Sequence, residues 1–209
     1  MSVICPTVLA ATLEDYNDQL AAIESFAERI QIDLGDGQFT TATLALDDVH
    51  WPSSITADIH LMYSRVSDAL PKLIALQPSM VILHAETDEY LETAINHLHD
   101  HGIAVGIALL QATEVSTAEQ LIKKAEHVLI FSGSLGSFGG KADLGLLRKV
   151  AEIRAINPDI EIGWDGGANA ENARQLRDGG VDVLNVGGAI QKANRPENAY
   201  RELVRLIES

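Results

Sequence analysis

Basic side chains are scarce in this sequence: 15 lysines and arginines stand against 30 aspartates and glutamates in 209 residues, a formal net charge of −15. Nucleic acids and anionic membrane surfaces are held through cationic patches, so the deficit argues against both and points to a small soluble ligand. Cysteine is almost absent as well. The single Cys5 cannot close an internal disulfide, which suits a reducing, cytosolic setting, and its expected role is core filling. No stretch of about 18 consecutive apolar residues occurs, and the opening "MSVICPTVLA" has no basic segment before its apolar residues, so neither a membrane span nor a secretory leader is expected. Also missing are a Pro/Gly/Ser-rich linker, a low-complexity tract and any abrupt shift of composition. Residues 1–209 therefore read as one domain, and 46% hydrophobic residues suffice for one sizeable core.

What is present is a repeating pattern. Eight short apolar runs of strand length recur: "VICPT", "RIQIDL", "TADIHL", "MVILH", "AVGIALL", "HVLIFS", "EIGWD" and "VDVLNV". Between them lie segments with apolar residues every three or four positions, such as Leu13, Tyr16, Leu20, Ile23 and Ala27, or Leu144, Leu147, Val150, Ile153 and Ile156, the spacing of amphipathic helices. Thr12, Ser116 and Asn169 stand where side-chain oxygens could cap helix starts, and Gly102 and Gly179 where helices should stop. Strands alternating with helices, each strand buried on both faces, predict a closed parallel (β/α)8 barrel, with an open doubly wound sheet as the alternative.

In such a barrel the reactive groups sit at the C-terminal strand ends, where the βα loops form an open mouth. The proposed strands end in Thr7, Asp33, His60, His84, Ser132, Asp165 and the pair Gly187-Gly188. Asp33 and Asp165, on strands 2 and 7, could face each other across a bound molecule. One carboxylate removing a proton from a carbon while the other returns one to the opposite face would invert a stereocentre. The loops after strands 6, 7 and 8 are glycine-rich: "GSLGSFGGK" with Gly139 and Gly140, "DGGAN" with Gly166 and Gly167, and "VGGAI" with Gly187 and Gly188. Uncovered backbone amides there favour an anion, and phosphate is the natural candidate. Trp164 should point to the outer face of its strand. His97 and His101, at helical spacing, lie before strand 5, away from the mouth, and read as structural. Lys141 could approach the anion or lie in solvent.

The motifs "IDLGDGQF", "DIHLM", "HAE", "FGGK", "WDGGAN" and "VGGAI" together resemble the ribulose-phosphate 3-epimerase family in order and spacing over nearly the whole chain. The resemblance implies a (β/α)8 barrel that interconverts phosphorylated ketopentoses at C3 through an enediolate, with two aspartates, here Asp33 and Asp165, as acid and base. It also implies a divalent metal (Zn, Fe, Mn or Mg), with Asp33, His60 and Asp165 in three of the family's four ligand places, and a homo-oligomer. Thr7, His60 and the three glycine pairs would then bind the sugar phosphate. The fourth ligand place holds Gln31 instead of histidine, and a neutral amide is a poor ligand for a transition metal. Other departures are Thr7, Gly35, Gln38 and Leu135-Gly136, so a sugar-phosphate-binding barrel with impaired or divergent chemistry is the alternative. Related decarboxylases carry an Asp-x-Lys-x-x-Asp run, and "DLGDGQ" lacks its lysine.

Overall fold

A computed structural model describes residues 2–138 and 140–209; Gly139, one of the residues expected to bind the anion, lies outside the described residues. Its eight parallel strands are β1 (Val3–Val8), β2 (Arg29–Gly35), β3 (Thr56–Met62), β4 (Met80–His84), β5 (Ala104–Leu109), β6 (His127–Phe131), β7 (Glu161–Asp165) and β8 (Val183–Val186). They pair in chain order, and β1 pairs with both β2 and β8, so the barrel is closed and the open sheet is ruled out. Among the described residues eight α-helices surround it: α1 (Leu13–Ile23), α2 (Leu70–Leu76), α3 (Glu92–Asp100), α4 (Glu119–Ile122), α5 (Arg148–Ile156), α6 (Ala173–Asp178), α7 (Gly188–Gln191) and α8 (Pro196–Glu208).

The strands explain their own sequence pattern. Successive side chains point to opposite faces. On β2 the apolar set Ile30, Ile32 and Leu34 faces outward into the main core with Tyr16, Leu20 and Ile23 of α1, and Trp164 of β7 belongs to the same layer. The alternate residues Arg29, Gln31 and Asp33 face into the barrel. Polar side chains alternate into this interior, where Met80, Ile82, Ala108 and Leu129 form a small separate apolar cluster. Below it lies an ionic layer. Arg29 donates to Asp58 at 2.6 Å and through both terminal nitrogens to Glu161 at 2.8 Å, and His127 Nδ1 lies 2.7 Å from Glu161. Cys5 is fully buried, as expected of core filling.

At the start of α1, the Asp15 amide donates to Thr12 Oγ1 at 3.2 Å, so Thr12 caps as its position predicts. Thr12→Ala should lower stability by about 1 kcal/mol, read as a fall of about 2–4 °C in the thermal midpoint. Elsewhere the elements depart from the sequence reading. The β2–β3 connection carries only the single 3-10 turn Leu46–Asp48 instead of a helix. Ser116 lies inside a 3-10 turn, Val115–Ala118, that runs directly into α4, so its hydroxyl caps nothing. Gly179 does stop α6, as expected: it is the cap residue after Asp178, with φ −75°, and the left-handed turn follows at Gly180, φ +91°. Asn169 accepts from the Glu171 amide in the turn before α6, so it organises the approach to that helix and not its first residue.

Candidate active site

The alternation that sends Ile32 and Leu34 outward sends Gln31 and Asp33 inward. In the β2–β3 register Asp33 lies beside His60, and in the β6–β7 register Asp165 lies beside Phe131. Three strands thereby bring Asp33, His60 and Asp165 together, with one ligand-type atom from each inside a span of 4.8 Å. His60 Nδ1 lies 3.0 Å from Asp33 Oδ1 and 3.7 Å from Asp165 Oδ2. Gln31 joins the two carboxylates: its Nε2 donates to Asp33 Oδ1 at 2.9 Å and to Asp165 Oδ2 at 2.7 Å. The two aspartates therefore converge on a common pocket, as their positions at the ends of β2 and β7 predict.

Burial sets the electrostatics. It pushes the carboxyls of Asp33 and Asp165 each up to about 7, and the charge of Asp33 adds to the rise at Asp165. His60 and His84 are pushed down to about 4 for the same reason, so both rings are neutral near neutral pH. His84 has no accessible surface and lies against His60, their Nε2 atoms 2.9 Å apart. It stands behind the carboxylate cluster and not in it.

Two carboxylates and a neutral imidazole whose Nδ1 faces both of them are a donor set that fits a divalent cation. Gln31 is the exception. Its amide turns N–H toward the carboxylates, while its Oε1 is buried without a hydrogen-bond partner. The –NH2 group thus does part of what a cation would do, satisfying both carboxylates at once. Turning the oxygen inward would leave the N–H2 unpaired instead, at about 1–3 kcal/mol.

Beyond these side chains a cleft of about 200 Å³ opens at the C-terminal end of the barrel. Asp33, His60, Asp165 and Thr7 line its floor, and Gly140, Gly166, Gly167, Gly187 and Gly188 line one side. Three of these glycines are required by close approach. A Cβ on Gly166, at φ +104°, would lie 2.0 Å from the Gly133 nitrogen, and one on Gly167, at φ +72°, would lie 2.2 Å from the Ala142 nitrogen. A Cβ on Gly187 would meet both Phe138 and Thr7 Oγ1 at 2.5 Å. The loops after β6 and β7 therefore pack closely at Gly166 and Gly167, and at these glycines the main chain itself forms the cleft wall.

Ser132 ends β6 but accepts from the Asp143 amide at 2.8 Å and has a structural task. His97 and His101 form an exposed pair at the end of α3, bonded ring to main chain, away from the cleft. Lys141 is exposed and is not among the residues of the cleft wall; the lysine there is Lys192, just after α7. Sequence reasoning missed it, although it follows Gly188 by about one helical turn, which returns it to the same side. Phe131, Phe138, Ser137 and Asn185, which also line the cleft, were missed too. Of these only Asn185 carried a signal, as a polar residue inside the apolar run "VDVLNV".

The profile of the Ribulose-phosphate 3 epimerase family matches residues 3–191. Ribulose-phosphate 3-epimerase 2 of Cupriavidus necator is 28% identical, over 98% of this chain and 90% of its own length. The ribulose-phosphate 3-epimerase of Helicobacter pylori strain 26695 is 27% identical, over 99% of this chain and 98% of its own. Among solved structures, a 3-hexulose-6-phosphate synthase superposes with a TM-score of 0.76 at 17% identity, covering 98% of this chain and 99% of that one, and so shares the barrel fold.

Proposed function

The chain belongs to the ribulose-phosphate 3-epimerase family, and on that premise we propose that it inverts C3 of a phosphorylated ketopentose, with Asp33 and Asp165 as the acid–base pair. The observation that carries this reading is the convergence of two buried carboxyls, both raised to about 7, on one cleft walled by glycine main chain. One carboxylate takes the C3 proton, and the C–H electron pair moves into the C2–C3 bond, leaving negative charge on the carbonyl oxygen. The other carboxyl, protonated, returns a proton to the opposite face. Groups with pKa values near neutrality suit both halves of the exchange. The charge that builds on oxygen must be met by donors or a cation in the cleft.

A divalent ion held by Asp33, His60 and Asp165 would supply Lewis-acid stabilisation of that charge. The phosphate is assigned to the main chain at Gly140, Gly166, Gly167, Gly187 and Gly188, with Thr7 beside Gly187 and Lys192 as the cation of the wall. Among the described residues no helix is long and apolar enough to cross a membrane. A cytosolic, homo-oligomeric enzyme of one domain completes the reading, carried over from the family resemblance and the sparse cysteine.

The test is direct. With ribulose 5-phosphate in deuterium oxide, the protein should yield the C3 epimer carrying deuterium at C3. No exchange with any ketose phosphate, with or without added metal, would sink the assignment. Gln31 favours one second reading, a barrel that binds sugar phosphate without turnover, because its N–H2 fills the space between the carboxylates. Measurable sugar-phosphate affinity with zero turnover would establish that instead. Gln31→His separates the two further: it should raise Zn2+ affinity by about 100-fold, read by competition with a chromophoric chelator, because an imidazole lone pair replaces an inward N–H.

A further inference from the structure

Behind the carboxylate cluster runs a line of buried polar contacts that the proposed chemistry leaves unused. His60 Nε2 lies 2.9 Å from His84 Nε2, and His84 Nδ1 lies 3.2 Å from Glu86 Oε2. Glu86 Oε1 accepts from the Leu110 amide at 2.9 Å and from the Thr113 hydroxyl. The loop that supplies these donors is itself pinned. The fully buried Lys149 donates to the main-chain oxygens of Leu110 at 2.7 Å and Thr113 at 2.8 Å. Phe39 packs on His84, and Phe131 packs on both rings, so the two imidazoles have aromatic neighbours and no accessible surface.

Two neutral imidazoles bring two ring hydrogens to three contacts, so the third hydrogen must come from one of the carboxyls at the ends of the line, Asp33 or Glu86. Two facing Nε2 atoms at hydrogen-bond distance share one proton, which belongs to one ring or the other. Glu86 already accepts two donors through Oε1, and its carboxylate is held below the usual range by His84, Thr113 and Leu110 against the effect of burial. Oε2 therefore accepts, and His84 Nδ1 carries the hydrogen. His84 Nε2 is then a lone pair, His60 Nε2 carries the shared proton, and His60 Nδ1 is left with a lone pair 3.0 Å from Asp33 Oδ1, a contact that is a hydrogen bond when Asp33, raised to about 7 by burial, holds its proton there.

We infer that Glu86 is a positioning residue that acts through His84 to fix the tautomer of His60, so that His60 Nδ1 presents a lone pair to the two aspartates. Without that bias the line could run the other way. His60 would then donate from Nδ1 to Asp33, and its lone pair would be turned away from the place where a proton or cation must be shared. Only the kinetic part of this inference depends on the epimerase reading; the ring hydrogens are a property of the resting protein.

The test uses the full chain, treated with chelator and labelled with 15N at histidine. Two-dimensional NMR should show His60 and His84 neutral, with His60 protonated at Nε2 and His84 at Nδ1. Glu86→Gln keeps the shape but can offer an N–H2 to His84 Nδ1, so it should reverse both patterns. It should also lower Zn2+ affinity by about 10- to 100-fold, and kcat by a similar factor with KM nearly unchanged. Thr113→Val removes one support of Glu86 without reversing its polarity and should leave the tautomers as they are. His60 protonated at Nδ1 in the unmodified protein, a measurement that needs no variant to fold, would overturn the inference. So would a Glu86→Gln protein with the original pattern. Lack of turnover by the unmodified chain would sink the epimerase reading and leave the tautomer result standing.

Discussion

Asp165→Asn should reduce epimerisation of ribulose 5-phosphate by at least about 10³-fold, within the range that loss of a positioned acid or base produces. Asparagine keeps the size of the side chain, and its oxygen can still accept from Gln31 Nε2, which donates to Asp165 at 2.7 Å. Folding and sugar-phosphate binding should therefore survive, with the loss appearing in kcat. Asp33→Asn should have a similar cost, because inversion needs a proton taken on one face and given on the other. A variant of either aspartate that retained a tenth of the activity would remove that residue from the chemistry.

The pH profile provides a second reading of the same pair. Burial raises both carboxyls to about 7, so near neutrality one is ionised while the other holds a proton. The rate should fall on the acid side as the base is protonated, and on the alkaline side as the acid is lost. The same shifts have a stability sign. Carboxyls whose folded pKa lies above the unfolded value favour the folded state at low pH. Their contribution weakens stability as pH rises from about 4 toward 7.

Arg29→Met should be the most damaging substitution far from the cleft, lowering stability by about 3 kcal/mol. That is the lower end of the cost of breaking a buried pair, because Glu161 keeps 33% of its side chain exposed. Arg29 joins β2 to β3 through Asp58 and to β7 through both oxygens of Glu161, and so ties together the floor of the barrel. Methionine fills the space but leaves Asp58, only 4% exposed, as an uncompensated buried charge. The deficit should shrink on acidification. In the parent Glu161 sits well below its ordinary value, chiefly through Arg29, and its contribution is present above about pH 4.5. In the variant Asp58, already raised by burial in the parent, would rise further without Arg29, and Glu161 would keep only His127, so the folded state would take up protons and recover stability from pH 7 toward 5. Urea unfolding at the two pH values measures this; an equal deficit at both would mean that packing, and not the ion pairs, sets the cost.

Several features were legible in the sequence because they are local. The alternation in "RIQIDL" is a property of one strand, and Asp33, His60 and Asp165 announced themselves as polar residues at otherwise apolar strand ends. Thr12 was readable for the same reason: a cap is decided within four residues. Ser116 misled because the same local signal precedes a 3-10 turn, where the spacing of free amides differs. Lys192 was overlooked in favour of Lys141 because proximity in a loop is no guide to which side a helical turn faces.

The sequence by itself determined eight strands alternating with helices, two aspartates at strand ends and the glycine loops, since each follows from periodicity or from residue type at a strand end; that the strands close into a barrel was decided by the β1–β8 pairing. Only the tertiary structure decided that Gln31 offers its hydrogens and not its oxygen to those aspartates. It also decided that Glu86 meets His84 and His84 meets His60, and that Arg29 meets Glu161 across 132 residues of chain. The direction of an amide, the tautomer of an imidazole and the partner of a buried charge are set by what lies on neighbouring strands, and closure of the barrel is what makes strands distant in sequence neighbours.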